Sequence, residues 1–172
     1  GEQTANSADR RIVGPLGRQA NAALRSYDAR MSLTDQVAVV TGAGRGIGLA
    51  CVRALARDGA AVVVATPEDD ERAEVLAELE AAGHQVLGTS TDVTSEDDLT
   101  QMVEATLDRF GRIDILVNNA GVIGPTAALQ DVARHEWEAV MEVNLTGVYL
   151  ASRAVLPTLL AQRSGRIINI AS

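Results

Sequence analysis

Lysine is absent: all fifteen basic residues of the 172-residue chain are arginine. No glycine-rich turn in it can therefore be an ATP P-loop, which needs a lysine ahead of Ser or Thr. Cysteine occurs once, at Cys51, which excludes an intramolecular disulfide and fits a reducing, cytoplasmic compartment. There is no stretch of about 18 consecutive apolar residues, so no membrane-spanning segment is expected. The two histidines, His84 and His135, lie far apart, and no Cys/His cluster has metal-ligand spacing, so no metal is expected. Positive charge is in deficit. The formal net charge of −8 repels phosphate backbones and argues against a nucleic-acid partner.

Apolar residues make up 47% of the chain, and its length suits one domain with one sizeable core. Residues 1–32 differ from the rest: they carry five arginines against three acids and show no sustained periodicity. They read as a disordered extension, with a basic transit-like segment as the alternative and Met31 as a natural start. Residues 33–172 read as an incomplete dinucleotide-binding domain. From Gln36 onward, short apolar runs alternate with helical patterns. The runs are 37–41, 61–65, 86–90, 114–118 and 166–170, and three of them are rich in Val or Ile, as strands buried on both faces are.

The helices between them have readable ends. Thr66-Pro67-Glu68-Asp69 predicts a helix capped by Thr66, with proline in its first position and acids on its dipole. It carries Val75, Leu76 and Leu79 inward and stops at Gly83. Ser95, with Asp98 three residues on, predicts the next start, and Gly111 its end. A longer pattern covers 134–163, disturbed at Pro157. Alternation at this spacing implies parallel strands joined by right-handed crossovers. We expect an α/β fold, a doubly wound, Rossmann-like parallel sheet of order 3-2-1-4-5. Its ligand crevice should lie beyond the strand ends where the order reverses.

Strand 1 leads into Thr41-Gly42-Ala43-Gly44-Arg45-Gly46-Ile47-Gly48. Glycines let a backbone turn tightly and approach a pyrophosphate, and the next helix offers its free N–H groups. Position after a strand and before a helix points to nucleotide binding. This run resembles the TGxxxGxG motif of short-chain dehydrogenases/reductases. Asp92-Val93 resembles that family's adenine-contacting pair, and Asn118-Asn119-Ala120-Gly121 its NNAG motif. Asn144 resembles its active-site asparagine, and Ile168 to Ser172 the strand end that delivers its catalytic serine. These matches cover 33–172. Each residue also has a plainer reading: Asp92 as a turn residue, the paired asparagines as satisfiers of backbone groups, Asn144 as a helix-bending residue. Cys51, Trp137 and the histidines read as packing or surface residues.

The resemblance implies hydride transfer between nicotinamide and a small carbonyl or alcohol substrate, in a homo-oligomer. It implies that Ser172 bonds the substrate oxygen and that Asn144 holds a relay water. It places the acid/base tyrosine in a Tyr-x-x-x-Lys motif that these residues do not contain: Met31 follows Tyr27 at that spacing, and Arg153 follows Tyr149. We therefore expect a chain cut before that dyad and before the last strands and helices, inactive by itself. The alternative function is a non-catalytic dinucleotide-binding module. By alignment Thr66 stands where an acid commonly binds the NAD ribose. With Arg45 available for a 2′-phosphate, this favours NADP over NAD, against the opposing weight of Glu68, Asp69 and Asp70.

Overall fold

The computed structural model describes residues 32–171. The readings of the N-terminal extension and of Ser172 fall outside them, apart from Ser32. Five parallel strands form one sheet in the order β3-β2-β1-β4-β5. They are β1 (Val37–Thr41), β2 (Ala61–Ala65), β3 (Val86–Thr89), β4 (Ile115–Asn118) and β5 (Arg166–Asn169). The expected fold class and strand order are both found, with β3 and β5 one residue shorter at their ends and β4 one residue later at its start.

Residues alternate across β1 between two cores. Val37 and Val39 face one, together with Leu99, Met102, Leu116, Val155 and Leu159. Ala38 and Val40 face the other, with Val52, Ala56, Val75 and Leu79. Helices α1 (Gly46–Arg57) and α2 (Asp69–Ala81) therefore cover one face of the sheet, and α3 (Glu96–Phe110) and α5 (Gly147–Gln162) the other. Burial on both sides is why β1 and β2 read as unbroken apolar runs. At the strand starts, the buried carboxylate of Asp114 accepts from the Val37 amide at 2.9 Å and from two nitrogens of Arg112.

Two helix boundaries correct the sequence reading. Helix α2 is capped by Glu68, not Thr66, and starts at Asp69. The Thr66 hydroxyl is turned to the Glu68 carboxylate, and the Thr66 carbonyl accepts from Arg72 at 2.7 Å. In the 134–163 stretch the disturbance is not at Pro157, which sits within α5. It is a π turn over Glu142–Thr146 that joins α4 (Arg134–Met141) to α5. A π turn adds a residue to the helix and rotates the side chains beyond it, a device found often at functional sites.

By length and composition, Arg134–Gln162 is the one helix among the described residues apolar enough to cross a membrane. Counting consecutive apolar residues misses it, because Glu142, Asn144 and Arg153 interrupt the run while the windowed mean stays high. One side of α5 is nonetheless committed to the sheet through Leu150, Ala151, Val155 and Leu159.

The cap of α3 matches expectation. Ser95 Oγ accepts from the Asp98 amide at 3.2 Å and donates to the Asp98 carboxylate at 2.9 Å. The Asp92 amide also donates to that carboxylate, at 2.9 Å. These bonds, first the Asp92 amide and then the Ser95 hydroxyl, hold the Asp98 pKa below the ordinary carboxylate value. A carboxyl with a lowered folded pKa adds stability above its unfolded pKa and loses it as pH falls through the folded one. Ser95→Ala is expected to destabilise the fold by about 0.5–2 kcal/mol at neutral pH. The deficit should shrink in acid as Asp98 protonates, read from denaturant midpoints at several pH values.

Candidate functional site

Strands β1 and β4 are neighbours, with Ala38 beside Ile115 and Val40 beside Val117. The helices that follow them leave on opposite faces, so the sheet splits just beyond Thr41 and Asn118. This is where ligands bind in doubly wound sheets. The split is stitched by side chains. The buried Thr41 hydroxyl accepts from the amides of Asn119 and Ala120, both at 3.1 Å, and donates to the Val117 carbonyl at 3.4 Å. Asn119 Nδ2 donates to the carbonyls of Thr41 and Gly42, each at 3.0 Å.

That stitch fixes the glycine loop. Gly42 has φ +61° and Gly46 φ +56°, left-handed values that favour glycine. A Cβ on Gly42 would lie 2.8 Å from Ala120 Cα, and one on Gly48 only 2.3 Å from the Gly42 carbonyl oxygen. A Cβ on Gly46 would meet nothing within 4 Å, so the loop is bare there. The loop runs straight into α1, whose first turn carries no acid and whose N-cap, Arg45, makes no side-chain cap bond. Its own first turn thus supplies no acid to the positive end of the helix.

A cleft of about 310 Å³ opens over this loop. Of the expected cofactor residues, Gly42, Arg45, Thr66, Asp92, Val93, Ala120 and Gly121 line it, together with Pro67, Glu68, Glu71, Thr91, Asn119, Val122 and Val143. Thr41 and Gly48 lie behind the loop, buried, while Ile47 is exposed. Asp92 is a cleft residue and a turn residue at once, since its Oδ1 accepts from the Thr94 amide and hydroxyl.

Asn118 is not on the cleft wall. It is buried at the end of β4, where its Nδ2 donates to Ser152 Oγ at 3.0 Å and to Asn169 Oδ1 at 2.9 Å. Asn144 lies in the π turn and grips the backbone of Val122 from both sides. Its Oδ1 accepts from the Val122 amide at 2.8 Å, and its Nδ2 donates to the Val122 carbonyl at 2.9 Å. Ser172 lies outside the described residues.

The family profile described as short chain dehydrogenase matches residues 36–172. The chain belongs to the short-chain dehydrogenase family. It is 46% identical over 142 residues to a 3-oxoacyl-[acyl-carrier-protein] reductase of Synechocystis sp., covering 82% of this chain and 57% of that protein. A metagenomic short-chain oxidoreductase crystallised with NADP superposes with a TM-score of 0.77 at 41% identity, over 81% of this chain and 63% of that one. Actinorhodin polyketide ketoreductase with NADPH superposes at 0.76 with 40% identity, over 80% and 53%. The chain thus spans little more than half the length of the relatives it matches.

Within this member of the family, two cleft residues escape the sequence reading as site residues. Asn119, read with Asn118 as a satisfier of backbone groups, does satisfy the loop carbonyls, whereas Asn118 holds the interior instead. Strand alternation could have separated them, because neighbours at a strand end point opposite ways. Glu71 carries no motif signal at all. It comes within 3.6 Å of Arg45, and its side chain lies directly over Gly44.

Asn119→Ala removes the donor from two carbonyls and is expected to destabilise the fold by about 1–3 kcal/mol. Gly48→Ala drives a Cβ into the Gly42 carbonyl and should lower the melting temperature of the ligand-free chain. Calorimetric melting without any nucleotide checks both. An unchanged melt would mean that the loop is not held from behind as described.

Proposed function

We propose that this chain carries the dinucleotide site of an NADP-dependent oxidoreductase that moves a hydride between nicotinamide and the carbon of a small carbonyl or alcohol. The observation that carries the reading is the glycine loop stitched to β4, bare at Gly46 and continuous with an α1 start that has neither acid nor side-chain cap. A bound dinucleotide fits this cradle. Gly46 leaves its backbone open, and the α1 amides face a pyrophosphate. Val93 and Asp92 flank the adenine end, Ala120 and Gly121 the inner wall, and Arg45 reaches a 2′-phosphate in a charge-assisted contact. The relatives seen with NADP and NADPH support that choice of cofactor.

When bound, nicotinamide supplies hydride transfer. The chain's own residues then orient and relay. Ser172 is assigned the hydrogen bond to the substrate oxygen. Asn144 is assigned a relay water. With one bond to Val122 on each side of its amide, it keeps one lone pair and one N–H for that water. The proton donor is assigned to a Tyr-x-x-x-Lys pair that these 172 residues do not contain. A lysine beside the tyrosine stabilises the tyrosinate and brings its pKa down toward working pH. The half-buried single cysteine fits a reducing, cytoplasmic setting.

Calorimetric titration with NADPH and NADH tests the site. NADPH is expected to bind more tightly, and Arg45→Ala to weaken NADPH more than NADH by roughly 1–3 kcal/mol. Tighter binding of NADH to the wild type would overturn the NADP assignment. In a nicotinamide absorbance assay over ketones and alcohols, the 172-residue chain is expected to show no turnover. Measurable turnover would mean that another residue transfers the proton. β5 lies at the sheet edge with Ile167, Ile168 and Ile170 partly bare, and Leu156 and Leu160 stand out from α5. We expect self-association through these surfaces, seen as a mass that rises with concentration in light scattering.

A further inference from the structure

We infer that Glu71 sets the balance between 2′-phosphorylated and unphosphorylated dinucleotide, a role that rests on the dinucleotide reading above. Four acids stand at the end of β2 and the start of α2, and they are not equivalent. Glu68 is engaged by the Thr66 hydroxyl, and Asp69 by Arg72. Asp70 is exposed and does not line the cleft. Glu71 lines it, with Oε1 3.6 Å from Arg45 Nη1. Gly44 lets this happen. A Cβ there would fall 2.5 Å from Glu71 Oε2 and 2.8 Å from Glu71 Cβ, so glycine is what allows the glutamate to rest on the loop.

The carboxylate thus holds the arginine that a 2′-phosphate needs. The Arg45 side chain is 83% exposed, so this ion pair is weak and screened, and a phosphate displaces it. Displacement does not remove the carboxylate. It stays on the same loop, close enough to repel the phosphate that replaced it. A ribose 2′-hydroxyl meets the opposite situation, since it donates a hydrogen bond that a carboxylate accepts. Glu71 therefore opposes NADPH twice, by occupying Arg45 and by charge, and accommodates NADH.

The test measures dissociation constants of NADPH and NADH for the wild type, Glu71→Gln and Asp70→Asn. Asp70→Asn removes the same charge from the same helical turn, outside the cleft. Glu71→Gln is expected to raise the NADPH-to-NADH affinity ratio about three- to tenfold, as loss of a close, partly screened charge should. Asp70→Asn should change the ratio by less than about twofold, and the Glu71→Gln effect should shrink in about 1 M salt, where the Debye length is about 3 Å. An unchanged ratio in Glu71→Gln, or an equal rise in Asp70→Asn, overturns the inference alone. If no form binds either dinucleotide, wild type included, the dinucleotide reading falls and takes this inference with it.

Discussion

The geometry of the cleft depends on one hydroxyl. Thr41 ends β1 at the point where the sheet divides, and its Oγ accepts two amides from the turn after β4. Without it, two backbone N–H groups at the bottom of the crevice would lack partners, each at a cost of about 1–3 kcal/mol if buried. With it, Ala120 is drawn against Gly42 so closely that no Cβ fits between them. The left-handed turn at Gly42, the bare stretch at Gly46 and the unobstructed start of α1 all depend on that approach. The glycines do not form the loop unaided. They permit a conformation that the polar seam imposes.

The two asparagines after β4 divide the work by facing opposite ways. Asn119 turns outward to the loop carbonyls. Asn118 turns inward and ties β4 to α5 through Ser152 and to β5 through Asn169. This inner network is consistently directed, because the Ser152 hydroxyl passes its own proton to the Val148 carbonyl at 2.7 Å. Its weak point is the Asn118 side-chain oxygen, which is buried with no partner among the described residues. Such an oxygen is costly. Here the amide's other end supplies two hydrogen bonds, one fixing β5 and one fixing α5 against β4, so the arrangement trades one unsatisfied acceptor for a defined position of both elements.

Much of this is legible in the sequence where one physical signal dominates. Strands buried on both faces leave unbroken Val and Ile runs, so β1 and β2 can be placed to the residue. Ser95 with Asp98 allows only one helix start, and Gly111 ends that helix in the left-handed conformation at φ +75°. Thr66 misleads because Thr-Pro-Glu-Asp fits two cap registers. The choice falls to the Thr66–Glu68 and Arg72 contacts, which no local pattern encodes. The π turn is invisible for a similar reason. Its Asn144–Val122 bonds span 22 residues, whereas Pro157, the expected break, is accommodated within α5. Arg45 stands out in the sequence and does line the cleft, but the glutamate beside it arrives from another element.

The strand register also bears on how the site comes into being. β1 meets β2, and β2 meets β3, across 24 residues, as in Val37 beside Ala61 and Val62 beside Val86. β4 meets β5 across 51, but β1 meets β4 across 77, with Ala38 beside Ile115. Closing the β1–β4 seam therefore carries the largest loop-entropy penalty in the sheet. Contacts of such long range also slow folding. The crevice lies along that seam, so the β1–β2–β3 unit can assemble with its glycine loop still unshaped. The loop's shape therefore rests on the chain's most distant strand pairing, and by the loop-entropy argument it is expected to be completed late in folding.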